Sequence, residues 1–557
     1  VSRRQKGARV NQSLGIVDHG RAMRTRLSVL ECALLAIVPL GLFLALFHPA
    51  ILDVHNVGWL LQGTDNGENA LGLQAWLNDA ARGWSLRTTL LNAPEGVTLL
   101  FTDSNPLLAL LVRPIAAVLG PGVQFVGLWY LLCLCLQSVF ARALLKPFAR
   151  STMELWLGVA LLMMLPTLFA RYVHANLFAH WILLWALWIF VEPRRARDWR
   201  WWIGILGVAA LVHSYLLFMV AAIWATAVCK ALLKRGDRLR VIGCAVLAVI
   251  VVALILRWHA VGGDFGNTRS YGLYGLPLDA LWNPGLQGFS TLVPAIPARA
   301  SREMEGFQYL GAGLLALVAL SPLIVARTSG DAAYRVLVRQ LAWLAPAYVV
   351  LVALAVTHQI DFAGSTIVTL PLSTGAIALL DPIRASGRLF WPVAYTIVLL
   401  AIVSAYRLSM QRATLLLGVV LAVQLCDLAG MIRTVRAQTA QPPGRPTYAV
   451  TRDPRWPAAI AGARDVVIMP TDVRTALDLY QEIAWRAVLA GRPVRDVYAA
   501  RYGVATLQRY RAEETAFRAG QLDPRRLYVL LPGEPVPPGA AHRLRTLNGV
   551  RLLVAVR

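Results

Sequence analysis

Asp65 and Asp103 stand near the two ends of residues 60–110, the most polar long segment in the first half of the chain, wedged between apolar runs. Far downstream, Arg384 and Arg388 are four residues apart. A carboxylate can take the proton of a hydroxyl as that hydroxyl attacks carbon, which is general-base catalysis. Guanidinium groups bind phosphate bidentately. At a membrane edge the two together suit transfer from a lipid-linked phosphate, whose charge sits at headgroup depth. Glu68, Arg171, His174, His213, Tyr215, Glu305 and Tyr309 are the further polar residues that could line such a site. Each also has a bland reading. His213 alone reads as a hydrogen-bonded packing histidine, Arg171 as a snorkelling anchor at a helix end, and the acids as parts of solvated loops. Arg384 and Arg388 are harder to set aside, because positive residues are disfavoured in outer loops. An outward pair needs an anion.

The elements that must position these groups are membrane spans. Of 557 residues, 57% are hydrophobic and 15% charged, which excludes an ordinary soluble class. A net charge of +24 would suggest nucleic acid in a soluble chain. Here many Arg and Lys residues punctuate apolar runs, where they set topology and meet anionic lipid headgroups, so nucleic acid is not expected as a partner. All six cysteines lie in apolar runs, which argues against disulfides and zinc sites.

Residues 1–26 form a basic cytoplasmic N-terminus, and 27–48 is a retained first span rather than a signal peptide. Charge at the span ends then predicts further crossings at 123–140, 155–170, 177–191, 241–256, 310–325, 341–356, 389–406 and 415–432. Two short passes bent near His213 fill 201–232. The expected class is an α-helical polytopic membrane protein of about eleven spans, its transmembrane part covering 27–433, with large outer loops at 49–122 and 257–308. Residues 106–120 read as an interfacial helix and 366–380 as a re-entrant or interfacial element. Residues 434–557, which open with a Pro-rich linker at 441–446, read as a small α/β domain on the outer, periplasmic face. Its expected strands are 466–469, 527–531 and 550–556, and its helices 475–489 and 506–519. This topology gathers the polar candidates on one side of the membrane.

Motifs of other chemistries are missing. There is no Walker loop, no Gly-x-Gly-x-x-Gly between strand and helix, no His-Glu-x-x-His and no metal-spaced cysteine pair. Gly-Gly-Asp-Phe-Gly at 262–266 has the letters of a kinase motif without the rest of the set, and reads as a turn. No cofactor is expected, and a divalent metal is not indicated.

An Asp in a long first outer loop, a Pro-Leu-led interfacial helix (Pro106, Leu107), a helix-rich body and an outer C-terminal domain together resemble GT-C-type glycosyltransferases. More closely, the chain resembles an uncharacterised family of bacterial polytopic membrane proteins related to that superfamily. The phrases that carry this likeness are FTDSNPLLAL at 101–110, QFVGLW at 124–129, Arg171 with His174, and AHW at 179–181. YGLYG at 271–275, EGFQYLG at 305–311 and RASGRLFW at 384–391 continue it.

The resemblance implies transfer of a sugar, with inversion, from a polyprenyl-phosphate (undecaprenyl-type) donor to a cell-envelope acceptor such as a glycan, glycolipid or protein. It places Asp65 as the base and Asp103 as a second acid that orients the base or holds the acceptor. Arg384 and Arg388, with Arg171, would hold the donor phosphate. His174, His213, Tyr215 and Tyr309 would line the pocket, and Glu305 would contact sugar hydroxyls. Glu68 stands where relatives are expected to carry Gln. Some members of the superfamily use a divalent metal and others do not. The location implied is the bacterial inner membrane. Two rivals use the same residues: a transporter or flippase of lipid-linked sugars, and a non-catalytic scaffold for envelope assembly.

Overall fold

The computed structural model describes residues 28–233, 237–259, 265–286, 288–328, 330–440 and 447–556. The basic N-terminus, the 441–446 linker and most of the Gly-Gly-Asp-Phe-Gly stretch lie outside the described residues. Helices predominate. Among the described residues six are long and apolar enough to cross a membrane: Val29–Leu46, Val126–Leu145, Ser214–Leu233, Arg238–Trp258, Ser386–Ala405 and Met410–Asp427. Two bent pairs raise the number to eight. Thr152–Met163 with Pro166–Val173 turns by 48°, and Ala332–Ala342 with Ala345–Val356 by 55°. A proline lies at the start of the second helix in each pair, where its missing N–H costs no helical bond.

One feature follows the pattern-based expectation and others differ. Residues 201–232 do form two helices, Trp199–Val212 and Ser214–Leu233, broken at His213. The 366–380 element is not one re-entrant piece. Its first part is a strand, Ser365–Thr369, paired antiparallel with Gln359–Phe362, and its second a short helix, Thr374–Leu380. β-branched residues at Thr366, Ile367 and Val368 favour the strand. A helix also runs across residue 433. The helix Ala429–Thr439 packs along Val29–Leu46, where Thr439 Oγ1 accepts the His48 N–H at 3.0 Å.

The C-terminal sheet has four strands in the order Val466–Met469, Leu527–Leu530, Val550–Leu553, Leu544–Leu547, the first pair parallel and the others antiparallel. The unexpected strand, Leu544–Leu547, is joined to Val550–Leu553 by Asn548-Gly549, both with positive φ (50° and 80°). That dipeptide is the preferred two-residue hairpin connection.

This domain is not a separate bead. Val494 bridges both Val466 of the sheet and Leu91 of the segment between Asp65–Asn78 and Pro106–Leu119. The helix Leu477–Leu489 packs on Asp65–Asn78, with Gln481 accepting the Gly63 N–H at 2.9 Å and donating to the Thr64 carbonyl at 2.8 Å. A Cβ on Gly67 would lie 2.3 Å from Gln481 Oε1, so glycine permits this approach.

Candidate functional site

Asp65 is the first residue of Asp65–Asn78, where the helix dipole favours a negative charge. Asp103 sits in a turn just before Pro106–Leu119 with φ +52°, a left-handed conformation uncommon outside glycine. Two amides hold it there. The Asp103 carbonyl accepts from Asn69 Nδ2 at 2.5 Å and Asn176 Nδ2 at 2.8 Å, which offsets the backbone strain. His174 falls between two short 3-10 turns, and His213 at the break between two long helices. Glu305 lies just ahead of Ala312–Arg327, and Arg388 in the first turn of Ser386–Ala405.

These segments meet at one place. His174 Nε2 lies 3.9 Å from Asp65 Oδ2 and 3.8 Å from Asp103 Oδ1, bridging the two acids. The His174 and His213 rings meet edge to face at 5.8 Å. Glu305 is held by Arg171, at 3.1 Å, and by Arg388, which grips both of its oxygens. Arg171 also donates to the Met304 carbonyl and lies over the Trp391 ring at 5.6 Å. Arg388 lies over the Tyr215 ring at 5.1 Å, and the Tyr215 hydroxyl accepts the Ala385 N–H at 2.8 Å. The site is partly open, since the side chains of Asp65, Asp103 and Glu305 keep 29%, 15% and 21% of their exposure. Arg171, His174, His213 and Arg388 are buried.

Crowded acids with little water set the proton affinities. Burial, reinforced by the Glu305 charge and opposed by Arg388, pushes the Asp65 carboxyl up to about 6. Burial pushes Asp103 up as well, with Asp65 adding to it and Arg388 and Arg384 opposing. Glu305 moves the other way. Burial works against its charge, but Arg388 and Arg171 outweigh that and hold it far below the usual carboxylate range.

Four expectations change with this geometry. Glu305 does not stand free to meet sugar hydroxyls, because it is the anion that balances Arg171 and Arg388. Of the three arginines expected to hold a phosphate, Arg384 is the one without a carboxylate partner among the described residues. It donates to the Ala500 carbonyl at 3.1 Å and to Thr268 Oγ1 at 3.4 Å. Tyr309 does not line the site. Its hydroxyl donates to Asp427 Oδ2 at 2.8 Å, in a buried network with Ser290 and the Ala312 N–H. Glu68 lies fully buried behind Asp65, and neither of its oxygens has a hydrogen-bond partner among the described residues. Burial and the Asp103 and Asp65 charges push its carboxyl well up.

The fold also makes a metal-sized cluster that sequence spacing does not reveal. Asp103, His174 and His213 each bring a ligand atom within 4.8 Å of the others. Two His and a carboxylate form a donor set suited to a divalent transition metal. Against it, His213 Nδ1 accepts the Tyr215 N–H at 3.1 Å, which leaves the neutral ring's proton on Nε2. Binding a metal through Nε2 therefore costs that bond.

Sequence reasoning missed the contribution of the C-terminal domain. The Tyr498 hydroxyl donates to Asp65 Oδ1 at 3.3 Å. Next to it, the Ala500 N–H bonds the Phe101 carbonyl at 2.8 Å, and Arg501 pairs with Asp381 at 3.3 Å. The Tyr498–Asp65 pair is 433 residues apart, and no local pattern marks it.

A family model described as a domain of unknown function, DUF6311, matches residues 36–429. The model of the DUF6311 C-terminal domain matches residues 455–555. None of the curated proteins matches the chain. The first match takes in the helical part that carries Asp65, Asp103, Arg171, His174, Glu305 and Arg388, and the second the domain that supplies Tyr498, so this chain belongs to the DUF6311 family.

Proposed function

We propose that this protein is a membrane glycosyltransferase of the GT-C type. It moves a sugar, with inversion, from a polyprenyl-phosphate donor to an acceptor hydroxyl on a cell-envelope glycan, lipid or protein, at the periplasmic face of the bacterial inner membrane. One observation carries the reading: His174 brings Asp65 and Asp103 together in a half-open site, and Arg384 reaches its edge by donating to the Ala500 carbonyl, two residues from the Tyr498 that bonds Asp65. Counting both bent pairs and the shorter helices Ala175–Val191, Trp199–Val212 and Ala312–Arg327 as crossings gives the eleven spans expected from hydropathy. The C-terminal domain then lies on the same side as the site.

Asp65 takes the proton of the acceptor hydroxyl as its oxygen bonds the anomeric carbon. The bond from that carbon to the phosphate oxygen breaks, and polyprenyl phosphate leaves with the electron pair. An affinity near 6 leaves Asp65 mostly ionised at neutral pH yet still basic, as a general base requires. Asp103 and His174 orient it. Arg384, which has no carboxylate partner among the described residues, and then Arg388 face the leaving phosphate. Burial of Arg388 strengthens its pull on that charge.

The test is a panel of polyprenyl-phosphate sugars given to the purified protein and to Asp65→Asn. Turnover should fall by about 10²- to 10⁴-fold in the variant, with donor binding retained. Undiminished transfer by Asp65→Asn removes the base assignment. Movement of lipid-linked sugar across vesicles without transfer, in protein and variant alike, favours a flippase instead.

A further inference from the structure

The helices Trp199–Val212, Ser214–Leu233 and Arg238–Trp258 enclose a cavity of about 710 Å³ at the end away from His213. At 1.5 Å per residue, the length of Trp199–Val212 sets this cavity about 20 Å from the Asp65 site. Its walls are apolar, with Trp202, Trp224, Val228 and Ala248 among the lining residues. Four exposed arginines, Arg194, Arg197, Arg200 and Arg240, gather around it.

Their charge is poorly matched from within. The two acids in the lining, Asp198 and Asp237, cap helices, each accepting a backbone N–H at 3.1 Å from Arg200 and Arg240 respectively. The neighbouring Arg195 has Glu192 at 3.9 Å and stacks on Trp188. No such carboxylate pairs with the other four among the described residues. A solvated cationic face would explain exposed arginines on their own. It does not explain why they converge on an apolar cleft. Arg238–Trp258 fully buries only Ala248, and its Val246, Leu247, Val249, Ile250 and Leu254 are exposed. The cleft therefore adjoins a lipid-facing surface.

We infer that this cavity is a binding site for an anionic phospholipid of the leaflet opposite the Asp65 site, its phosphate among Arg194, Arg197, Arg200 and Arg240 and an acyl chain against the tryptophan and alanine wall. Charge complementarity selects an anionic over a zwitterionic headgroup, and the apolar wall selects a lipid over a soluble anion. The arginine cluster also marks this end of the helices as the inner one, where anionic headgroups give a negative surface potential. The inference is independent of the sugar-transfer reading, since no residue of the Asp65 site takes part.

The full chain, reconstituted in phosphatidylcholine nanodiscs with increasing phosphatidylglycerol, tests this by native mass spectrometry of the retained lipid. Wild-type protein should keep about one phosphatidylglycerol against a large excess of phosphatidylcholine. Arg197→Gln/Arg200→Gln/Arg240→Gln should weaken that retention about 100-fold, at roughly a factor of five per guanidinium. Ala245→Trp, which fills the cleft and leaves every charge in place, should also expel the lipid, and it carries the test should the triple variant fold poorly. Retention unaltered in either folded variant overturns the inference. Equal retention of the two phospholipids does so too, as does displacement of phosphatidylglycerol by equimolar polyprenyl phosphate.

Discussion

The Tyr498 hydroxyl donates a 3.3 Å hydrogen bond to Asp65 Oδ1, so the C-terminal domain reaches the acid at the head of the helix Asp65–Asn78. The surrounding segment is tied down on several sides. Its backbone bonds Leu90 and Phe101 of the first loop and Gly266 of the second, and Arg501 bonds Asp381 ahead of the last spans. Tyr498 is thus a rigid positioning residue for Asp65.

Tyr498→Phe keeps the ring and removes the donor. A hydrogen bond to a charged group is worth about 1.5–3 kcal/mol, so sugar transfer should fall at least tenfold. Donor affinity should stay within about twofold, a split between kcat and KM that loss of the whole domain would not give. Unchanged kcat would show that Asp65 is held without the phenol.

The pH dependence follows from Asp65. A base raised to about 6 is protonated in acid, so kcat/KM should rise with pH, reach half its plateau near 6 and level off above 7. Stability runs the other way. An acid whose affinity is raised by folding contributes stability below its unfolded value, and that contribution is lost as pH rises through about 6. Asp65→Asn should therefore unfold at a higher temperature than wild type at pH 8, with the gap closing by pH 4. Thermal melts of the detergent-solubilised protein at both pH values read this directly.

Glu305 is predicted to be structural first. Removing it leaves Arg171 and Arg388 buried without their anion, and breaking such a partly buried network costs about 3 kcal/mol or more. Glu305→Gln should lower the melting temperature more than Arg388→Gln, which leaves Glu305 paired with Arg171. The double variant should be less unstable than the sum of the two. A double-mutant cycle with no coupling would contradict the ion cluster.

Glu68→Gln should be nearly silent, with activity within about threefold. Burial and the two neighbouring acids push the Glu68 carboxyl well up, towards its neutral form, and an amide has almost the same shape as the neutral acid. Glu68→Lys would force a longer side chain into a fully buried space and should lower the melting temperature, although Asp65 and Asp103 lie near enough to face its charge. A large activity loss in Glu68→Gln would instead give this acid a proton-carrying role.

Asp103, His174 and His213 make metal dependence a measurable question. Because a metal on His213 Nε2 costs the Tyr215 N–H bond, sugar transfer is expected to survive chelation with EDTA within about twofold. Abolition by EDTA, with recovery on adding Mn²⁺ and no recovery in His174→Ala, would make the trio a metal centre.

Sequence by itself determined that this chain is built of apolar helices. Period, span length and charge at the ends are local properties, and they sufficed to find the break at His213 and the core strands of the C-terminal domain. They also singled out Asp65, Asp103, Arg388, His174 and His213, because ionisable residues stand out in an apolar chain. Only the tertiary structure decided which of these meet, since hydrogen bonds between residues hundreds apart leave no periodic trace. It assigned Glu305 to two guanidiniums, sent Tyr309 to Asp427 and brought Tyr498 to Asp65. It also assembled a possible metal cluster from three distant segments. In each case a buried charge or hydroxyl must find a partner, and packing alone fixes which one lies within reach.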